Sequence, residues 1–98
     1  MKDIILVTGA SGLVGIPLIN KLLENYEVIG LDLKKQTIYS PKYTHLRKKI
    51  KRISDFLTIF ETYNVSRMLH NNQPHKIIEN NVFLTMYLIE AMRQYKKI

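Results

Sequence analysis

A glycine-rich turn close to the N-terminus sets the strongest limit on how this chain can fold. Residues 4–7 form an unbroken aliphatic run, Ile-Ile-Leu-Val, which is long enough for one buried strand. Glycine then recurs at every third position, as Gly9, Gly12 and Gly15. A helical pattern of apolar residues starts directly afterwards. Strand, glycine turn and helix in this order are the setting in which a phosphate-binding turn is expected.

Each of the three glycines has a distinct predicted role. Gly9 allows a tight turn at little steric cost. Gly12 has no Cβ that would intrude on a pyrophosphate, and Gly15 lets the helix pack closely on the strand. The free amides and the positive end of the helix dipole would then face the phosphates. The predicted dinucleotide-binding residues of this turn are Gly9, Ala10, Ser11, Gly12, Leu13, Val14 and Gly15. The alternative is an ordinary glycine-rich turn without a ligand.

Asp32 is the second candidate binding residue. It lies at the end of the next predicted strand, about 20 residues beyond the glycine turn, where dinucleotide folds place an acidic side chain on the adenosine ribose. A carboxylate there accepts hydrogen bonds from the ribose hydroxyls and repels the 2′-phosphate of NADP. Lys34 and Lys35 follow and would offset that repulsion. We therefore expect NAD, with NADP still possible. The alternative is a solvated aspartate that opens a loop.

The motif T-G-A-S-G-x-x-G after a strand resembles the extended short-chain dehydrogenase/reductase superfamily, which holds the NAD-dependent sugar-nucleotide epimerases and dehydratases. A second stretch is similar to that family's P…N-V-x-G-T-x-N-L-L-E-A-A pattern. It consists of Pro74, Asn81, Val82, Thr85, Leu88, Ile89, Glu90 and Ala91. The resemblance implies that Asn81 helps to order the backbone on the cofactor side.

The sequence also departs from the family at positions that matter for function. Arg52 stands where the family has a carboxylate that reads the adenine amino group, and a guanidinium has no acceptor. After His70, the family's L-A-A is replaced by Asn71, Asn72 and Gln73. No tyrosine is followed by lysine four positions later, so the family's Tyr-x-x-x-Lys base is absent from this sequence. His45, His70 and His75 show no metal-ligand spacing.

Strand and helix patterns alternate along the chain. Strands are predicted over residues 3–8, 27–33, 45–53 and 65–70, and helices over residues 13–24, from an N-cap at Ser54 or Asp55 to about Tyr63, and over residues 76–95. The resulting prediction is α/β, a three-layer half-Rossmann unit. Its parallel sheet has about four strands in the order 3-2-1-4, with helices on both faces. The open edge of strand four predicts self-association or pairing with a complementary chain.

The length of 98 residues allows one domain at most. The resemblance spans nearly the whole chain but only the first half of a family member. We therefore expect residues 1–98 to be a truncated NAD(P)-binding domain, with the substrate domain absent and no complete activity alone. Two alternatives stay open. One is a non-catalytic nucleotide-binding or interaction module, and the other is a degenerate remnant that does not bind cofactor usefully.

The composition favours a soluble, cytoplasmic protein. No signal peptide or bilayer-length apolar stretch is recognisable, so no membrane association is expected. The net charge of +7 comes largely from a basic run over residues 47–52. No aromatic residues are interleaved with that run and no nucleic-acid motif surrounds it. A solvated strand or loop is therefore the favoured interpretation over a nucleic-acid site.

Overall fold

The described part of the chain alternates strands and helices, as the sequence predicts. The computed structural model describes residues 3–70 and 78–95, with the backbone alone for residues 70 and 78–85. The elements in chain order are β1 (Ile4–Thr8), α1 (Gly15–Leu22), β2 (Glu27–Leu31), β3 (Tyr43–Leu46), α2 (Ile53–Tyr63), β4 (Arg67–His70) and α3 (Ile78–Gln94).

The four strands form one parallel sheet in the order β3-β2-β1-β4, which confirms the predicted topology. In this register Thr8 lies beside Leu31 of β2 and His70 of β4. The carboxyl ends of these three strands therefore meet at one edge of the sheet. Ligands of parallel α/β sheets bind outside this edge. The glycine turn begins there.

The core lies on both faces of the sheet because side chains alternate along β1. Leu6 packs with Phe56, Phe60 and Leu88 in a cluster that α2 and α3 cover. The neighbouring side chains, Ile5 and Val7, face the other way and pack with Ile19 of α1. The rings of Phe56 and Phe60 stack with their centroids 6.0 Å apart. The predicted three-layer arrangement is confirmed.

Strand three differs from its prediction. It was expected over residues 45–53, whereas β3 runs over Tyr43–Leu46. Tyr43 is buried, but the side chains of Arg47, Lys48 and Lys49 are exposed. Because side chains alternate between the faces of a sheet, a strand that continued through these three residues would turn at least one cation toward the buried face. The basic run is therefore an exposed loop rather than a strand.

The start of α2 also corrects a prediction, because its N-cap is Arg52 and not Ser54 or Asp55. Asp55 lies one turn inside, where its carboxylate accepts hydrogen bonds from the backbone N–H groups of Lys51 at 2.7 Å and Arg52 at 3.2 Å. The hydrogen bond from the Lys51 amide is the largest of the effects that lower the pKa of Asp55. The acidic side chain thus reaches back to cap the helix from within its first turn.

The remaining predicted boundaries differ from the observed ones by no more than two residues within the described part of the chain. The predicted start of helix three, residues 76 and 77, lies outside the described residues. Among the helices that the structure describes, none combines the length and apolar character needed to span a membrane.

Candidate functional site

The glycine turn is anchored to the end of β2 by backbone hydrogen bonds. Gly9 adopts φ 67°, the left-handed conformation that favours glycine. Its N–H donates to the carbonyl of Leu31 at 2.9 Å, and the N–H of Ala10 donates to the same oxygen at 3.4 Å. The turn therefore bends over the carboxyl edge of the sheet in a fixed position.

Gly15 is packed against the turn itself. A Cβ at this position would lie 2.3 Å from the carbonyl oxygen of Gly9 and 2.8 Å from that of Ala10. The sequence predicted that Gly15 would allow close packing of the helix on the strand. The structure instead places the close contact between the first residue of α1 and the turn carbonyls. Backbone atoms cannot move aside as a flexible side chain can, so this position requires glycine.

The N-terminus of α1 has no side-chain cap. Its N-cap residue is Val14, which makes no capping hydrogen bond, and no acidic residue lies in the first turn. The first amides of a helix have no acceptor within the helix. Leu13 is 93% exposed and Val14 is 62% exposed, so this helix end faces solvent. The Ile16 N–H already donates to the Gly12 carbonyl at 3.1 Å and Pro17 has no N–H, so an anion placed here would meet the backbone N–H groups of residues 13–15 and the positive end of the helix dipole.

Asp32 connects the turn to the segment after β2. It follows β2 directly and is 9% exposed. Its Oδ2 accepts a hydrogen bond from the Ser11 N–H at 2.9 Å, and its Oδ1 accepts one from the Lys34 N–H at 2.9 Å. These bonds offset the cost of burying the carboxylate. Each oxygen retains further acceptor capacity, which suits a donor such as a ribose hydroxyl.

The loop after Asp32 is held from a neighbouring strand. The carbonyl of Lys34 accepts a hydrogen bond from His45 Nε2 at 2.9 Å, and that of Leu33 accepts one from Arg47 Nε at 3.0 Å. The hydroxyl of Tyr43 lies 2.7 Å from His45 Nδ1. Burial, and secondarily the charge of Asp32, raise the pKa of Tyr43 to about 12. The phenol is therefore neutral over the physiological range.

Sequence reasoning missed the contribution of Tyr43, His45 and Arg47. Tyr43 and His45 stand at alternate positions of β3, and such residues share one side of a strand. The predicted strand began two residues too late to include Tyr43, so the pattern was not recognised.

The structure brings the predicted residues 9–15 and Asp32 together at the carboxyl edge of the sheet. Arg52 is exposed at the N-cap of α2. Asn81 lies in α3, but its side chain is outside the described part of the structure. Its predicted supporting role is therefore untested. The departures at residues 71–73 also fall outside the described residues.

A parallel sheet in this order, with a glycine turn over its carboxyl edge, defines a Rossmann-like α/β protein. The family model of the NAD dependent epimerase/dehydratase family matches residues 5–98 of the chain. The chain therefore belongs to this family. A search of curated proteins finds no match.

Solved structures of similar fold include two sugar-nucleotide epimerases. The UDP-Glc/GlcNAc 4-epimerase of Campylobacter jejuni is 18% identical with a TM-score of 0.78, over 97% of this chain and 35% of that protein. The UDP-glucose 4-epimerase of Thermotoga maritima, solved with UDP-glucose, is 22% identical with a TM-score of 0.75, over 94% of this chain and 34% of that protein.

A third similar structure is a short chain dehydrogenase of Leptospira borgpetersenii, solved with bound NAD+. It is 18% identical with a TM-score of 0.68, over 99% of this chain and 48% of that protein. The chain thus spans between a third and a half of the length of these proteins. At these identities the similarity shows a shared fold.

Proposed function

We propose that this chain binds NAD and supplies the N-terminal, cofactor-binding part of an epimerase/dehydratase-type enzyme. The observation that carries the proposal is the hydrogen bond from the Ser11 N–H to Asp32 Oδ2. It brings a helix N-terminus suited to phosphates and a carboxylate suited to ribose hydroxyls into one site. Family membership and the NAD-bound short chain dehydrogenase of similar fold support the same cofactor.

The described residues fit the adenosine and pyrophosphate parts of such a cofactor. The backbone N–H groups of residues 13–15, at the start of α1, would hold the pyrophosphate, and Gly12 would have no side chain to intrude on it. The remaining acceptor capacity of Asp32 would hold the ribose hydroxyls. The two backbone donors on Asp32 keep its carboxylate oriented before the ligand arrives, which lowers the entropic cost of binding.

The buried carboxylate also favours NAD over NADP in this proposal. A 2′-phosphate on the ribose would come close to Asp32, and like charges at short distance repel. Lys34 and Lys35 are exposed and carry the opposite charge, so they reduce the penalty without removing it.

The nicotinamide, when bound, supplies hydride transfer, but this sequence contains no Tyr-x-x-x-Lys pair to act as the base. We therefore assign residues 1–98 to cofactor binding and place substrate recognition and proton transfer outside this sequence. The two epimerases of similar fold suggest a sugar nucleotide as the substrate of the complete enzyme.

We further propose that the free edge of β4 pairs with a strand of a complementary chain or of a second copy. Within the described residues, β4 is hydrogen-bonded to β1 alone. Leu69 on this strand is 38% exposed. An unpaired edge with an exposed leucine is a site where another strand adds readily.

Calorimetric titration with NAD and with NADP tests the cofactor proposal. We expect the wild-type chain to bind NAD in the micromolar to submillimolar range and NADP more weakly. Gly12→Val should abolish NAD binding, because the added side chain would occupy the space of the pyrophosphate. Asn20→Val, which introduces the same side chain at an exposed position of α1, is the matched control and should bind normally.

Asp32→Asn separates the ribose contact from the phosphate contacts. It should weaken NAD binding and reduce the preference for NAD over NADP, because the charge that repels the 2′-phosphate is removed. Circular dichroism establishes that each variant is folded. A folded wild-type chain that gives no heat with either cofactor would contradict the proposal and favour the degenerate remnant.

A further inference from the structure

Three consecutive carbonyls after Asp32 are each held by a side chain. The Leu33 carbonyl accepts from Arg47 Nε at 3.0 Å, the Lys34 carbonyl from His45 Nε2 at 2.9 Å, and the Lys35 carbonyl from Ser11 Oγ at 3.0 Å. Successive carbonyls of an exposed loop are ordinarily left to solvent. Here the backbone beside the ribose-binding carboxylate is fixed at every residue.

Lys34 is the central point of this arrangement. Its N–H donates to Asp32 Oδ1 at 2.9 Å, while its carbonyl accepts from His45. Any movement of the peptide groups on either side of Lys34 would therefore disturb the orientation of Asp32. His45 acts on the carboxylate through Lys34 and does not touch it directly.

The tautomer of a neutral His45 follows from its partners. A carbonyl oxygen can only accept, so Nε2 carries the hydrogen toward Lys34. In a neutral imidazole the other nitrogen is then an acceptor. Tyr43 must therefore donate its hydroxyl hydrogen to Nδ1, across 2.7 Å. The hydrogen bonds run in one direction, from the Tyr43 hydroxyl through His45 to the Lys34 carbonyl.

Tyr43 in turn is fixed by the core. A Cβ placed on Gly30 would lie 2.0 Å from the Tyr43 hydroxyl oxygen and 2.8 Å from the Ala10 Cβ. The tyrosine therefore occupies the space that a side chain on β2 would fill, next to Ala10 of the glycine turn. Tyr43 is 7% exposed. The ring that orients His45 is thus held firmly between β3, β2 and the turn.

We propose that Tyr43 and His45, here called the β3 clamp, are positioning residues for the adenosine-ribose site. The clamp holds Lys34 so that Asp32 presents a preoriented carboxylate to the ribose hydroxyls. This inference rests on the proposed binding of NAD. It adds that the affinity for the adenosine half is set in part by β3, whose Leu46 carbonyl also accepts a hydrogen bond from the Asp32 N–H at 3.1 Å.

The binding test compares two ligands that occupy different parts of the site. AMP reports on the ribose contact, and inorganic pyrophosphate reports on the turn alone. His45→Ala should weaken the affinity for AMP by about three- to tenfold, the range expected when one hydrogen bond is lost. The affinity for pyrophosphate should stay unchanged. Thr44→Ala, at the exposed neighbouring position of β3, is the matched control.

His45→Gln tests whether the hydrogen bonds, rather than the bulk of the ring, are responsible. A glutamine amide retains one donor and one acceptor. This variant should recover most of the AMP affinity that His45→Ala loses. A purely structural role would predict equal losses for AMP and pyrophosphate and no recovery in the glutamine variant. Either result would overturn the inference.

Amide hydrogen exchange of the ligand-free chain separates this inference from the proposed function. His45→Ala should speed exchange at the Lys34 N–H, while the distant Val65 N–H, bonded to the Phe60 carbonyl, should not change. A wild-type chain that binds neither NAD nor AMP contradicts the proposed function. The exchange rates then decide alone, because unchanged exchange at Lys34 overturns the clamp and faster exchange supports it.

Discussion

The two strands that flank β1, β2 and β4, differ in how deeply their side chains are buried. On β2, every residue from Val28 to Leu31 is buried. On β4, Arg67 and Leu69 are exposed and Met68 is only half-buried. Both strands pair with β1 in parallel register, so hydrogen bonding to β1 does not account for the difference. Among the strands that the structure describes, β2 is an interior strand with β3 beyond it, whereas β4 is an edge.

The difference separates two parts of the molecule. The adenosine side of the candidate site is built from contacts among residues 8–47, all on the β2 flank of β1. The β4 flank offers an exposed edge and an ion pair between Arg67 and Asp3 at 3.2 Å. The proposed cofactor binding and the proposed pairing of a further strand therefore belong to opposite flanks. We expect substitutions on the two flanks to have effects of very different size.

The largest difference in the free energy of unfolding should come from replacing a leucine by alanine on β2 and on β4. Leu31→Ala should lower the free energy of unfolding by about 3 kcal/mol, because it leaves a cavity in a packed core. Leu31 is 5% exposed, whereas Leu69 is 38% exposed. Leu69→Ala should therefore cost less than about 1 kcal/mol. Urea denaturation of both variants measures this, and equal losses would contradict the contrast between the flanks.

A smaller effect, confined to alkaline pH, is expected on the β2 flank. Burial raises the pKa of Tyr43 from 10.0 to about 12. Between these values the unfolded chain releases the phenolic proton and the folded chain keeps it, so stability falls as the pH rises. One such group contributes up to about 1.4 kcal/mol per pH unit. Below pH 10 the phenol is neutral in both the folded and the unfolded chain, so Tyr43 causes no change of stability with pH there.

Tyr43→Phe isolates this contribution. The variant should be less stable at neutral pH by about 1 kcal/mol, since it loses the hydrogen bond to His45. Its stability should then decline less steeply than that of the wild type between pH 10 and 12. Urea unfolding at several pH values gives both slopes. Parallel curves for the two proteins would show that the phenol of Tyr43 is not protected by the fold.

The smallest effect is expected for the ion pair on the β4 flank. The side chains of Arg67 and Asp3 are 63% and 41% exposed. Exposed pairs of this kind contribute about 0.5 kcal/mol or less, and added salt screens them. Arg67→Gln should therefore change the urea midpoint only slightly at low ionic strength and not at all at high salt. A large loss that persists in salt would mean that Arg67 has a role beyond this pair.

The sheet was predictable because its information is local. The aliphatic run before Gly9 and the buried stretch from Val28 to Leu31 show clear strand patterns, and the glycine turn fixes how they connect. β3 was predicted too late because its buried face depends on Tyr43, a residue whose partner Gly30 lies on another strand. Nothing within residues 40–53 indicates that the ring of Tyr43 packs against Gly30 of β2.

The candidate site also has one part that the sequence predicts and one part that it does not. The turn and Asp32 follow from the spacing of glycines and an acidic residue, which is a property of a motif. The β3 clamp depends on a hydrogen bond from His45 to the backbone carbonyl of Lys34, and carbonyls are present at every position of a sequence. A pattern of side chains cannot specify which carbonyl a histidine will reach. This part of the site could therefore not be predicted from the sequence.

The register of β1 has a consequence for how the protein is made. Ile5 pairs with Val28 on one side and with Arg67 on the other, so the first pairing closes a much shorter segment than the second. The entropic cost of closing a loop grows with its length, by about 0.9 kcal/mol between these two cases. During synthesis, β1, the glycine turn and β2 emerge from the ribosome before β4 does. We expect the nascent chain to form its phosphate-binding turn first, and to add β4 to β1 afterwards.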